Sequence, residues 1–299
     1  MSQKPGFFIV GAPKCGTTSL FEYLLKHPDV YMPLHKEINY FGSDLVYRYH
    51  DIDEDDYLSL FEECKNEKAV GEASVWYLYS KKAAEEIKAF NPEAKIIIMI
   101  RKPVDMIYSL YHQVCCVGEE PIRDFRQALD AEQQRLKGRN IPFYASAEHP
   151  FFYRDAARYS GQIERYYRVF DQSNIHIIIY DDFQRDTPGE YKKILQFLGV
   201  DEAFQPEFKR YNTNKRARSR WIARFGPNPP RVLVKFISFF SSLKARQKIR
   251  DIIMKCNTVN EQRLPIDPDI KRTLTLEFKD EVEKLSKLLK MDLSSWNKL

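Results

Sequence analysis

The feature that most constrains this chain is Lys95-Ile96-Ile97-Ile98-Met99-Ile100, an apolar run without alternation. A strand with one wet face alternates apolar and polar residues. A run that does not alternate is buried on both faces, as in a parallel sheet covered by helices. Phe7-Phe8-Ile9-Val10 and Ile175-His176-Ile177-Ile178-Ile179-Tyr180 read the same way, and Ala69-Val70-Gly71 is a weaker strand. Helical spacing fills the intervals. It covers residues 17–25, 80–90 (ended by Pro92), 104–114 (Pro103 near the first turn), 123–136, 159–170 and 188–198 (stopped by Gly199). Beyond Pro230 the pattern is apolar, basic and helical, and 268–289 reads as one long final helix. Strands alternating with helices predict an α/β fold with a mainly parallel central sheet flanked by helices. No repeat or low-complexity tract interrupts it, and Gly226-Pro227-Asn228-Pro229-Pro230 is the best candidate joint.

Composition narrows the class. A chain of 299 residues, 43% hydrophobic, can bury a full core. Its 14% aromatic content excludes a disordered chain. Five cysteines, an odd number that includes the adjacent Cys115 and Cys116, make no disulfide scaffold. No C-x-x-C pair marks a structural zinc site, and no metal is expected. No apolar run approaches the roughly 20 residues of a spanning helix. The four consecutive apolar residues at 7–10 fall short of the about 7–15 of a secretory signal. The expectation is a soluble, cytoplasmic, reduced protein.

The net charge of +5 hides an uneven distribution. Residues 209–250 hold thirteen Lys or Arg and no acid, which leaves 34 basic against 42 acidic residues elsewhere. Such a block suits an anionic partner, whether nucleotide phosphate, acidic substrate, nucleic acid or membrane surface, or else is a solvated face. Five of the six residues at 51–56 are acidic and precede an apolar helical pattern, so they read as a helix N-terminal cap.

The sharpest local signal is Gly11-Ala12-Pro13-Lys14-Cys15-Gly16-Thr17-Thr18-Ser19, between a buried strand and a helix. Backbone N–H groups at a helix N-terminus favour a phosphate or other oxyanion. Thr17, Thr18 and Ser19 add hydroxyls, and Lys14 adds a charge. The nucleotide-hydrolase loop is G-x-x-x-x-G-K-[ST]. Gly11 and Gly16 keep its spacing, but Thr17 stands where its lysine would, and the cation sits inside the loop at Lys14. The loop is P-loop-like with the cation moved.

The segment resembles the 5′-phosphosulfate loop of sulfotransferases that use 3′-phosphoadenosine 5′-phosphosulfate (PAPS). Three further segments are similar, in order. Arg101-Lys102-Pro103-Val104-Asp105-Met106-Ile107-Tyr108-Ser109 resembles the family's 3′-phosphate motif, an Arg at a strand end and a Ser eight residues on. Lys36-Glu37-Ile38-Asn39-Tyr40-Phe41 resembles the acidic-aromatic segment of the heparan-sulfate-like, carbohydrate branch and its bacterial relatives. Gly71-Glu72-Ala73-Ser74-Val75-Trp76-Tyr77 resembles that branch's Glu-Lys-Ser-Pro segment. The resemblance implies a single sulfotransferase domain over residues 1–299, with a nucleotide-binding core at about 5–220 and a basic helical part at about 221–299. It implies PAPS as donor, adenosine 3′,5′-bisphosphate as product, and no metal. The residues themselves are compatible with it. Arg101 ends the strongest strand, and ligands of open α/β sheets bind beyond the strands' carboxyl ends.

The donor-binding residues implied are Ala12, Pro13, Lys14, Cys15, Gly16, Thr17, Thr18 and Ser19 of the loop, with Arg101 and Ser109. Lys215, Arg216 and Arg218 belong to a basic segment placed like the family's late loop over the nucleotide. Sulfuryl transfer needs in-line placement and a neutralised leaving oxygen. Lys14 is the natural group for that oxygen. By resemblance Glu37 is the general base, and nearby Tyr40 and Phe41 are expected to raise its pKa. His112, three residues past Ser109 on the same helix face, is the competing base or orienting group. Cys15 lies where a thiol pKa can fall, but no base is suggested beside it, so it reads as a loop residue. Ala73 and Val75 replace the branch's Lys and Pro, which argues against a heavily anionic, heparan-type acceptor.

The acceptor expected is a hydroxyl, ahead of an amine, on a carbohydrate, lipid or small metabolite, with no nucleic acid partner. Residues 231–243 form either a core helix or a basic amphipathic helix for peripheral membrane contact. Two alternatives stay open. One is an ATP-dependent P-loop phosphotransferase, which would need a Lys after Gly16 and a magnesium-binding Asp at a strand end. The other is a non-catalytic protein that binds nucleotide or a membrane surface.

Overall fold

The computed structural model describes residues 4–48, 52–209, 215–217, 258–260 and 264–298. In chain order the elements are β1 (Phe7–Gly11), α1 (Thr17–Leu24), β2 (Val30–Tyr31), α2 (Glu54–Ser59), β3 (Ala69–Ala73), α3 (Ala83–Phe90), β4 (Lys95–Ile100), α4 (Pro103–Cys116) and α5 (Phe125–Arg135). There follow α6 (Tyr153–Ala156), α7 (Tyr159–Val169), β5 (Ile175–Ile179), α8 (Tyr180–Arg185), α9 (Thr187–Leu198), β6 (Lys215–Ala217), β7 (Thr258–Asn260), α10 (Pro268–Glu277) and α11 (Lys279–Leu289).

The runs without alternation become the middle of a five-stranded sheet ordered β2-β3-β1-β4-β5, with every pairing parallel. Every residue of β1 and β3 is buried, as is every residue of β4 after Lys95. The predicted α/β class with a mainly parallel sheet is therefore what the chain forms. β5 departs from expectation. It is an edge strand, so Ile175, His176 and Ile177 are only half-buried. Tyr180, expected as its last residue, instead opens α8.

The chain divides into two compact units: Met1–Ile107 with Arg154–Tyr211 and Pro268–Leu299, and Tyr108–Tyr153 with Asn212–Asp267. The first contains the five-stranded sheet. The second contains α5, the antiparallel pair β6–β7 and a fully buried ion pair, in which Arg135 donates to both Glu120 oxygens at 2.7 and 2.8 Å. Tyr153 donates to the same carboxylate at 2.5 Å.

The acidic residues at the start of α2 act as expected: Asp53 is the N-cap and its side chain accepts the Asp56 N–H at 2.8 Å, with Glu54, Asp55 and Asp56 in the first turn. The expected single helix at 268–289 is a correction. The chain leaves helical geometry at Phe278, between α10 and α11. Leu274, Phe278 and Val282 are all buried, so the apolar spacing runs through the break and conceals it. The helical patterns beyond Pro230 and the proline-rich joint lie outside the described residues. Among the described residues no helix is long and apolar enough to cross a membrane.

Candidate functional site

Strand order reverses direction around β1: the chain adds β3 on one side and then β4 on the other. Ligands of open α/β sheets bind at such a switch point, beyond the strands' carboxyl ends. The segments leaving β1 and β4 there are residues 11–16 and Arg101-Lys102. A register shift between Ile9 and Gly11 bends β1 as it ends. The chain is then held by Leu78 N–H donating to Val10 O at 2.8 Å and Ala12 N–H donating to Met99 O at 2.6 Å. Gly11 fits because a Cβ there would stand 2.6 Å from Leu78 Cβ and 2.8 Å from Val75 O.

Gly16 caps α1 in the left-handed region (φ +91°), with no side chain closing the helix end. A Cβ on it would meet the Tyr180 ring at 2.9 Å. Among the described residues, the N–H groups of Gly16, Thr17 and Thr18 donate to no other group. They are therefore the donors a helix N-terminus leaves for an anion. Lys14, within the same loop, takes the left-handed φ of 64° that L-residues rarely adopt. Ala12, Pro13, Cys15 and Thr17 are buried, while Thr18 and Ser19 are half-buried. Cys15 is not activated. Burial pushes its thiol up to about 12 against the pull of Arg101, and it sits 3.4 Å from Pro13 O and 4.0 Å from the Tyr159 hydroxyl.

Arg101 follows β4 directly. Its guanidinium lies 4.8 Å from the Tyr180 ring centroid and 3.9 Å from Asp105 Oδ2. Its Nε is buried with no hydrogen-bond partner among the described residues. Tyr180 thus touches both the Gly16 turn and Arg101. Sequence reasoning missed it, because an aromatic at the end of an apolar run looks like one more strand residue.

Glu37 stands beside the end of β3. Its N–H donates to Ala73 O at 2.8 Å, and its Oε2 accepts the Val75 N–H at 3.0 Å. Lys36 pairs with its other oxygen. Glu37 and Asn39 both adopt left-handed φ values, 64° and 54°. Tyr40 stacks on Tyr57 at 4.2 Å, and Phe41 packs edge-on against Phe8, Tyr57, Tyr77 and Phe90. Below this segment lies Glu72, 1% exposed, which accepts three hydroxyl hydrogen bonds. Its burial was not legible in the sequence. Ala73 and Val75, where the resemblance would place Lys and Pro, are buried.

Lys14, Arg101 and Glu37 belong to the first unit. Ser109, buried, and His112, edge-on to Tyr108 at 4.4 Å, lie on α4 within the second. Lys215 and Arg216 fall on β6. Arg218 and residues 231–243 lie outside the described residues.

A family model described as a sulfotransferase domain matches residues 4–241. Among solved structures, the sulfotransferase from Alicyclobacillus acidocaldarius is 29% identical, with a TM-score of 0.75 over 99% of this chain and 100% of that one. The membrane-associated sulfotransferase kil1 of Dictyostelium discoideum is 25% identical over 70% of this chain and 59% of that protein. Carbohydrate sulfotransferase 15 of Homo sapiens is 33% identical over 66% of this chain and 44% of that protein. Heparan sulfate glucosamine 3-O-sulfotransferase 6 of Homo sapiens is 25% identical over 71% and 57%. The chain thus spans between 44% and 59% of the length of these curated relatives.

Proposed function

The chain belongs to the sulfotransferase family, and from that premise we propose that it moves a sulfuryl group from PAPS to a hydroxyl, ahead of an amine, of a carbohydrate, lipid or small metabolite. The observation that carries this reading is the pair of anion-receptive points at one sheet edge: the N–H groups of residues 16–18 and the Arg101 Nε, all without a hydrogen-bond partner among the described residues. Tyr180 contacts both. Two such points suit a nucleotide with phosphates at both ends of its ribose, and Arg grips a phosphate bidentately.

The proposed chemistry divides among this chain's residues. Glu37 takes the acceptor's proton as the acceptor oxygen bonds to sulfur. The bond from sulfur to the bridging phosphate oxygen breaks, and Lys14 neutralises the charge left on that oxygen. The Val75 N–H and Lys36 fix the direction of the Glu37 carboxylate. Two relatives are named for carbohydrate or glucosamine acceptors, which supports a hydroxylated substrate. A buried Ala73 where that branch has Lys, beside a buried Val75 where it has Pro, supports one less anionic than heparan sulfate.

The test combines binding with transfer. Adenosine 3′,5′-bisphosphate at about 100 times its Kd should raise stability by roughly 2.7 kcal/mol in thermal melts. A screen of hydroxylated carbohydrates and lipids with labelled PAPS should yield a sulfated product. Glu37→Gln should keep the bisphosphate shift and lower turnover by about 10²–10⁴. A shift with magnesium ATP and none with the bisphosphate would establish the phosphotransferase alternative instead. Bisphosphate binding without transfer to any acceptor would leave a nucleotide-binding protein.

A further inference from the structure

We propose that Glu72 is a positioning residue, whose buried carboxylate holds the backbone of residues 39–41, and with it Glu37, through the hydroxyls of Ser74 and Tyr77. The catalytic part of this inference rests on the reading of Glu37 as the base. The structural part stands alone.

Glu72 lies on β3 and receives three hydroxyl protons. Tyr57 and Tyr77 donate to its Oε1 at 3.0 Å each, and Ser74 donates to its Oε2 at 3.0 Å. Two of these hydroxyls also act onward. The Tyr77 oxygen accepts the N–H groups of Tyr40 and Phe41 at 2.9 and 3.2 Å. The Ser74 oxygen accepts the N–H of Asn39 at 3.0 Å. A hydroxyl has one proton. With backbone donors on their other side, Tyr77 and Ser74 send that proton to Glu72. Three consecutive main-chain N–H groups are thereby tied, at one remove, to a single carboxylate.

The need for such a tie is local. Glu37 and Asn39 are both in the left-handed region, which Asn tolerates but which strains a residue such as Glu and persists there only where surroundings over-determine it. The aromatic packing of Tyr40 and Phe41 fixes the far end of the segment but makes no hydrogen bond to it. The charged and titratable groups facing Glu72 are Tyr57 on α2, Tyr77 after β3, Tyr166 on α7, and Glu37 on the held segment. Burial pushes Tyr57 and Tyr77 up, so their hydroxyls remain donors. A carboxylate among hydroxyl donors is the matched partner. An amide is not, because its nitrogen has no lone pair for the hydroxyl it faces.

Glu72→Gln keeps volume and breaks one branch of the relay. Tyr77→Phe removes the hold on Tyr40 and Phe41 alone, and Ser74→Ala the hold on Asn39 alone. Tyr57→Phe is the control: its hydroxyl serves only Glu72, and the ring that stacks on Tyr40 is retained. Amide hydrogen exchange resolved to single residues reads the segment, and bisphosphate melts read the donor site.

Glu72→Gln is expected to speed exchange by about tenfold in the branch it breaks, at Asn39 or at Tyr40 and Phe41, with the branch-specific pattern in the two single variants and little change in Tyr57→Phe. Turnover should fall while KM for PAPS and the bisphosphate shift hold. A uniform rise of exchange through β1 and β3 would mean a general packing role and would overturn the proposal. So would unaltered exchange at 39–41, or loosened exchange with native turnover. If Glu72→Gln does not fold, Tyr77→Phe and Ser74→Ala carry the same comparison. Full activity in Glu37→Gln would sink the catalytic reading, while the exchange pattern would still report whether Glu72 holds the segment.

Discussion

Arg101 shows how far one residue can be argued from its unmet valence. Buried N–H groups in native proteins nearly always find an acceptor. The Arg101 Nε has none among the described residues, its guanidinium faces an aromatic ring, and its nearest carboxylate oxygen is 3.9 Å away on a half-exposed Asp105. An exposed ion pair of that length is worth little. The geometry therefore leaves the charge for a ligand. Arg101→Ala should weaken bisphosphate binding by about 1.5–3 kcal/mol in titration calorimetry. Arg101→Lys should recover only part of it, since a point charge replaces a planar fork. Bound-state turnover should change far less, because the 3′-phosphate is remote from sulfur in this reading. Unchanged affinity with lowered turnover would contradict the assignment. Cys15, one residue from Lys14, illustrates the opposite case. A helix N-terminus and a neighbouring lysine suggest a reactive thiol, but complete burial dominates and raises it instead.

Elements set where these residues stand, and some are held by chain far away in sequence. α7 begins at Tyr159, whose hydroxyl lies 4.0 Å from Cys15 in the phosphate-type loop. Its N-cap, Arg158, offers no capping side chain. Glu281 of α11 does so from outside, accepting the Ser160 N–H at 2.7 Å and hydroxyl at 2.9 Å. Removing it leaves buried donors unmet. Glu281→Ala should cost about 0.5–2 kcal/mol in urea unfolding, the usual span for a lost cap, while Glu283→Ala on the exposed face should cost little. Equal effects in both would refute the cap. The same scale explains what the sequence made legible. β1, β4 and the loop at 11–19 announce themselves, because burial on both faces and an open helix end leave local patterns. The break at Phe278, the helical start at Tyr180 and the hydroxyl cage of Glu72 do not. Each depends on contacts or chain directions set by other elements, and the cage draws its donors from α2, from Ser74 and from Tyr77.

For the whole molecule, buried carboxylates decide how stability follows pH. Glu120 is matched by Arg135, and Glu281 by a backbone and hydroxyl donor pair. Glu72 has hydroxyls alone, and burial outweighs them: its carboxyl is pushed up to about 7 from an ordinary 4.5. Between those values the native protein holds more protons than the unfolded chain. Stability from this group is therefore greatest below about pH 4.5 and declines as pH rises to about 7, by on the order of 3 kcal/mol. His176, drawn down by burial, acts in the opposite sense: it stays neutral in the fold and costs stability as pH falls below its ordinary 6.5. Wild type alone would blend the two. Glu72→Gln removes the carboxyl and leaves the histidine. The stability of wild type relative to that variant should then fall between about pH 4.5 and 7.5, measured by urea unfolding at each pH. A difference that grew with pH would mean that the three hydroxyls outweigh burial. The ionised form, less stable for the fold, is also the form matched to the donors that hold residues 39–41. A stable molecule and an ordered Glu37 thus make opposing demands on one side chain, as functional sites often do on the folds that carry them.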